Sequence, residues 1–174
     1  DLKDYAKQGQ DPNAKTMEVF HRGDSSAAMA RATQTLEATY WTEHCYHAQM
    51  EPMNCTVRMG ADGKSAEIWT GSQFAFLGTV AASGVLKTTP DKIKIHQQLL
   101  GGGYGRRITP DIIAQAVVLA NVTQQTVKLL LTREDDMAAA RPRPMTHHVM
   151  RAGLDAAGQL IGWRDRKSTR LNSS

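Results

Sequence analysis

Four glycines and one tyrosine fill the five positions from Gly101 to Gly105, and two arginines, Arg106 and Arg107, follow directly. A run of this kind leaves backbone amides with almost no side-chain cover. Glycine tolerates positive φ and lets another molecule approach closely, so consecutive N–H groups can converge on an anion or an oxo group. The run is not a Walker loop, because no GK[ST] follows. It is not a dinucleotide fingerprint either: the glycines are too tightly spaced and no acidic residue follows at the usual distance. A tight strand-to-helix connector would use the same residues, so the loop acquires chemical meaning only with its neighbours.

Gln73 closes the run Trp69-Thr-Gly-Ser-Gln73. Its carboxamide NH₂ can donate to an oxo group while the residue stays neutral; read alone, it serves equally as an N-cap or first-turn residue. His47 and Glu51 stand four apart, which would align them on a helix, but the stretch reads as extended and they need not meet. Glu51 is expected to make structural hydrogen bonds to a buried turn. His21, His44, His96, His147 and His148 show no ligand spacing. Cys45 and Cys55 form no CxxC and have no histidine at zinc spacing, and are expected to be two buried free thiols. They are too few to hold an iron–sulfur cluster. Arg106 with Arg107, and Arg141 with Arg143, read as short pairs of surface or phosphate-proximal charge.

The 174 residues carry a formal net charge of +4, three charges of which come from Arg166, Lys167 and Arg170. The remainder is near neutral and shows no basic stripe with interleaved aromatics, so nucleic acid is not an expected partner. No run of about eighteen apolar residues exists to span a membrane. The length suits one domain with a modest core.

Positioning these groups falls to an alternation of strands and helices. Asp24 caps a short helix from Ser25 to about 33, and 35–41 alternates as a strand. Residues 56–59 and 66–70 form a hairpin across the turn at 61–64. A helix over 73–86 is expected to bury Phe74, Leu77, Val80, Ala81 and Val85, interrupted by Gly78 and Gly84. Strand 92–97 then leads into the glycine loop. A helix over 110–122 follows, with Thr109 as cap and Pro110 at its first position. Residues 126–132 form another strand, 133–137 a charged strand-end turn, and 147–154 with 159–165 a last hairpin. The fold class is α+β: a mixed sheet with β-hairpins and two main helices.

Met50-Glu-Pro-Met-Asn-Cys55, Trp69-Thr-Gly-Ser-Gln73, the glycine loop, Thr132-Arg-Glu-Asp-Asp-Met137 and Arg141-Pro-Arg-Pro144 occur in a telling order and spacing. From about Ala27 to about Trp163 the chain resembles the molybdopterin-binding large subunit of the xanthine dehydrogenase/aldehyde oxidase family. Within it, the beta subunit of isoquinoline 1-oxidoreductase-type enzymes is most similar, its loop being typically Gly-Gly-Gly-Phe-Gly-Arg-Arg. The resemblance implies that Gln73, Gly102, Gly103, Tyr104 and Gly105 contact the cofactor, with Gly103 the point of closest backbone approach. Tyr104 replaces the usual Phe, adding a hydroxyl that needs a partner if buried. Ile108 lines the substrate position where purine-oxidising relatives carry Glu, so an N-heteroaromatic compound or an aldehyde is implied instead. No direct metal ligand and no catalytic residue is expected here, because the family's catalytic base lies far C-terminal of this stretch.

The same resemblance implies a molybdenum cofactor in its cytosine dinucleotide form, with iron–sulfur clusters on a partner subunit or domain. The implied partners are a small 2Fe-2S subunit, a small-molecule substrate and a downstream electron acceptor. The implied reaction is hydroxylation with water as the oxygen source, in a bacterial cytoplasm or periplasm that the sequence does not distinguish. Residues 1–24 are expected to be a polar linker or truncated segment, 25–165 a partial molybdopterin-binding domain, and 166–174 a non-native tail resembling translated adapter sequence. A non-catalytic phosphate-binding α+β module and a cofactor-less assembly protein are the two other readings.

Overall fold

The structure, a computed structural model, describes residue 4, residues 8–11 and residues 13–170. Its elements run α1 (Ser25–Ala30), β1 (Gln34–Thr42), β2 (Asn54–Met59), β3 (Ala66–Thr70), α2 (Ala75–Leu86), β4 (Ile93–Gln97), α3 (Asp111–Thr123), β5 (Val127–Leu130), α4 (Arg133–Ala139), β6 (Met145–Leu154) and β7 (Leu160–Arg170). They divide into two units, one from Tyr46 to Pro142 and one built from Asp1–Cys45 with Arg143–Ser174. The α+β expectation holds: one sheet is mixed, and α2 and α3 are the two main helices.

The unit Tyr46–Pro142 carries a four-stranded sheet in the order β4-β3-β2-β5. The β2–β3 hairpin and the β2–β5 pair are antiparallel, and β3–β4 is parallel. Strand alternation sends Cys55, Val57, Ala66, Ile68 and Ile93 into a core shared with Leu86 of α2 and Ile112, Ala116 and Val117 of α3. Burial on one face and polarity on the other is the pattern of a sheet covered by helices on one side. The opposite face carries Trp69 stacked on His96, ring centroids 4.7 Å apart, with Glu67 bridging Arg58 and His96.

Helix α2 buries a different stripe from the one its large residues suggest. Gly78, Ala82, Ser83 and Leu86 face inward, while Phe74 and Val80 are exposed. The reason is close packing: a Cβ on Gly78 would sit 2.6 Å from Ile113 Cδ1 and 2.9 Å from Ile95 Cδ1. Gly78 is where α2 meets α3 and β4, not an interruption. Two further expectations are corrected. Pro110, not Thr109, occupies the N-cap of α3, and residues 133–137 form a helix, α4, capped by Thr132 Oγ1 accepting from the Asp135 amide at 3.1 Å.

In the second unit β6 lies between β1 and β7, antiparallel to both. Asp24 Oδ1 accepts from the Ala27 amide at 2.9 Å and so caps α1 as its sequence predicts. Gly162 and Gly153 admit α1, since a Cβ on either would lie about 3 Å from Ala28 or from Ala32 and Met29. The β6–β7 ladder continues to Met145↔Arg170, beyond the 159–165 expected for the second strand.

Candidate cofactor site

Because β3 and β4 are parallel and in register at Thr70↔Gln97, the turns that follow them leave the same edge of the sheet. Residues 71–74 and 98–108 meet there, as ligand-binding turns do at the carboxyl ends of parallel strands. The Gln73 amide donates to Arg107 O at 3.0 Å. Its side-chain Oε1 accepts from the Gly105 amide at 2.9 Å and from the Arg107 amide at 3.3 Å. Two N–H donors can be matched only by the carboxamide oxygen, which fixes the orientation of the group. The Nε2 donor is therefore the half of Gln73 that the loop leaves unengaged.

Positive φ occurs at Gly102 (94°), Tyr104 (52°) and Gly105 (101°), not at Gly103. Tyr104 and Gly105 are the two central residues of a tight turn closed by the Arg106 amide, which donates to Gly103 O at 2.8 Å. Gly103 is buried, and a Cβ there would lie 2.6 Å from Gln73 Oε1, so its nearest neighbour is Gln73. Gly101 is engaged by Glu51, accepting from the Glu51 amide at 3.0 Å and donating to Oε2 at 2.9 Å. Tyr104 and Ile108 are exposed, by 64% and 45%, so the tyrosine hydroxyl is not stranded in a core.

The arginine pair overturns its expectation most clearly. Arg106 and Arg107 are both buried, each to 2% exposure. Arg107 donates from Nε to Gly102 O (2.8 Å), from Nη1 to Gly71 O (3.3 Å), and from Nη2 to Glu51 O (2.9 Å) and Glu51 Oε2 (2.8 Å). Arg106 forms a two-pronged pair with Asp111 at 3.0 and 2.9 Å, tying the loop to the first turn of α3. Its Nε lies 3.7 Å from Oδ1 of Asp136, a fully buried carboxylate on α4. Asp136 Oδ2 accepts from Tyr46 Oη (2.9 Å) and Gln49 Nε2 (2.6 Å). Burial, with the hydrogen bond and charge of Asp136, pushes the Tyr46 hydroxyl above its ordinary pKa. The Arg107 fork is satisfied by carbonyls and a carboxylate and the Arg106 Nη groups by Asp111, whereas Arg106 Nε and Asp136 Oδ1 face each other with no hydrogen bond.

Glu51 is accordingly a clasp, as its sequence context suggests, holding Asn54, Gly101 and Arg107. Burial raises its pKa, but the Asn54 amide, the Gly101 N–H and the Arg107 charge outweigh that and hold it below the usual carboxylate range. Cys55 is buried, its thiol pushed up to about 12 by desolvation; Cys45 is exposed, against expectation. Among the described residues no group of three or more His, Cys, Asp or Glu could hold a metal ion. No described helix is long and apolar enough to cross a membrane. Of the sequence-derived set, the structure gathers Gln73 with Gly102, Gly103, Tyr104 and Gly105. Of the residues that hold them, Glu51 is legible in the sequence as a structural group, whereas Arg107 and Asp136 escape it because their partners Glu51, Tyr46 and Gln49 lie far off along the chain.

The family model of the molybdopterin cofactor-binding domain matches residues 7–168. The chain belongs to this family. It is 33% identical to the beta subunit of isoquinoline 1-oxidoreductase from Brevundimonas diminuta over 141 residues, 79% of this chain and 18% of that protein. It is 29% identical to a nicotinate dehydrogenase polypeptide of Pseudomonas putida over 163 residues, 94% of this chain and 14% of that protein. The chain thus spans under a fifth of either relative. The aldehyde oxidoreductase of Desulfovibrio desulfuricans shares its fold with a TM-score of 0.70 at 18% identity, over 94% of this chain and 19% of that one. That of Desulfovibrio gigas does so with a TM-score of 0.67 at 22% identity, over 79% of this chain and 15% of that one. The residues present suit an oxo- or oxyanion-bearing group: a neutral donor in Gln73, a glycine backbone that allows close approach, and arginine charge already neutralised by Glu51.

Proposed function

We propose that this chain is the cofactor-loop part of the catalytic subunit of a molybdenum hydroxylase that oxidises an N-heteroaromatic compound or an aldehyde. Gln73, Gly102, Gly103, Tyr104 and Gly105 would hold the molybdenum cofactor, in its cytosine dinucleotide form, and Ile108 would line the substrate position. When bound, the cofactor supplies two-electron oxidation of a substrate carbon, with water as the oxygen source. The chain's own residues bind and orient. Gln73 Nε2 offers one neutral, preorganised donor, and the glycine amides offer fixed dipoles that need no reorganisation. The exposed aliphatic Ile108 offers nothing to hydrogen-bond a purine and suits an apolar ring or aldehyde substituent. The substrates in the relatives' names, isoquinoline and nicotinate, are of the same heteroaromatic class. Cys45 and Cys55 cannot hold an iron–sulfur cluster, so electrons would leave through clusters on a small 2Fe-2S partner subunit to a downstream acceptor.

The observation that carries this reading is the fixed Gln73 carboxamide, its oxygen engaged by the Gly105 and Arg107 amides and its nitrogen left as a donor. Gln73→Glu in the full-length subunit tests it. A carboxylate oxygen still accepts from both amides, so the melting temperature stays at the wild-type value, while the donor is replaced by an acceptor. Turnover should fall by about a hundredfold or more, the usual loss for one preorganised donor. Wild-type turnover at full molybdenum loading would refute the assignment.

A further inference from the structure

Glycine at 101, 102 and 103 leaves the peptide planes of the loop free to turn, since no Cβ biases them. A cofactor-binding loop cannot leave that choice open. Rotating the 102–103 peptide by half a turn would exchange the Gly103 N–H for the Gly102 carbonyl oxygen, replacing a donor with a negative dipole end. We propose that Arg107 makes the choice: its Nε, by holding Gly102 O, sets the side on which the 102–103 peptide presents its N–H. The inference rests on the reading that this loop holds the cofactor.

Three observations carry it. Arg107 Nε donates to Gly102 O at 2.8 Å, and the described chain has no cis peptide bond, so the Gly103 N–H points away from the guanidinium across the same plane. The guanidinium is itself anchored: its side chain is fully covered, and Nη1 and Nη2 are held by Gly71 O and by the carbonyl and carboxylate of Glu51. The planar fork fixes the position of Nε relative to those two anchors, which a lysine ammonium cannot do. Lastly, the backbone of the same residue holds Gln73 from both sides, donating to Oε1 and accepting from the Gln73 amide. Arg107 thus sets the orientation of both the glycine peptide and the carboxamide. It touches neither cofactor nor substrate and is a positioning residue.

The test compares wild type, Arg107→Lys and Gly102→Ala in the full-length subunit, reading molybdenum per folded protein and the thermal melt of the apoprotein. Lysine retains the charge opposite Glu51 but supplies no Nε donor. Arg107→Lys, which loses the Nε bond and cannot reproduce the whole fork, should melt below wild type and, in the protein that folds, retain on the order of tenfold less molybdenum. Gly102→Ala strains a φ of 94° inside the loop and should lose molybdenum by a route independent of Arg107. Wild-type molybdenum in Arg107→Lys with loss in Gly102→Ala overturns the orienting role and leaves the cofactor reading standing. Wild-type molybdenum in both overturns that reading as well. Should Arg107→Lys fail to fold, a crystal structure of the loaded wild-type subunit decides: Gly102 O must lie within hydrogen-bond distance of Arg107 Nε, and a turned 102–103 peptide refutes the proposal.

Discussion

Arg107 Nη2 lies 2.8 Å from Glu51 Oε2, and the two ends of this pair live in different surroundings: the guanidinium side chain is fully covered, while the carboxylate side chain is 38% exposed. The pair joins the Met50–Asn54 turn to the glycine loop from the solvent side, where protons can reach it.

Its pH dependence follows from the lowered Glu51 pKa. A carboxylate whose folded pKa lies below its ordinary value of 4.5 contributes stability that is fully present above that value and lost as pH falls through the folded pKa. Glu51→Gln should melt lower than wild type at neutral pH, and the gap should narrow as pH is taken below about 4.5. Melting curves of both proteins from pH 7 to pH 3 check this; a gap independent of pH would mean that the charge contributes nothing.

Gly78 couples α2 to α3 through Ile113. Gly78→Ala gains helix propensity of about 1 kcal/mol but adds a methyl 2.6 Å from Ile113 Cδ1, an overpacking that costs about 1–3 kcal/mol. Ile113→Val removes that carbon at a cost of about 0.5–1.5 kcal/mol alone. Together the two should be less destabilising than their sum, and chemical denaturation of the four proteins of the cycle measures the difference. Strict additivity would place Gly78 away from the helix contact.

Asp136 is the anion beneath the loop. Asp136→Ala leaves the Tyr46 O–H and the Gln49 amide without their acceptor and removes one of the two carboxylates beside Arg106, and should cost about 3–5 kcal/mol, as loss of one partner from a buried pair does. The Tyr46 pKa, raised in the wild type by burial and by Asp136, should move down toward its ordinary value, which an ultraviolet titration of the folded variant reads. An unchanged tyrosine titration would refute the contact.

The order of elements and the glycine loop itself are legible because each rests on local rules. Alternation marks β2 and β3, Asp24 marks the start of α1, and glycines mark a bare backbone. What stays hidden depends on distance in sequence. Nothing near Arg107 announces that Glu51, 56 residues earlier, will be its partner, nor that Asp136 will lie under Arg106. A pair of arginines after a loop reads as surface charge until those carboxylates are placed. The face of α2 is misread for a related reason: periodicity weighs large residues, while this contact is made by Gly78 and Ala82 so that neighbours can come near. Gln73 stands out in the sequence, but the lock on its oxygen does not, since backbone amides leave no mark on a sequence.

The division of the chain bears on the order in which it folds. Thr42 and Thr146, 104 residues apart, share a hydroxyl hydrogen bond at one end of the β1–β6 ladder, and the unit Tyr46–Pro142 lies wholly between them in sequence. While that stretch is unfolded, pairing β1 with β6 means closing a long, floppy loop against its entropy. The inserted unit has its own sheet and core, all from contiguous sequence, and needs neither strand to nucleate. On a ribosome it also emerges ahead of β6. Synthesis and loop-closure entropy thus favour the same sequence of events, in which the glycine loop is assembled first and the flanking strands zip together last.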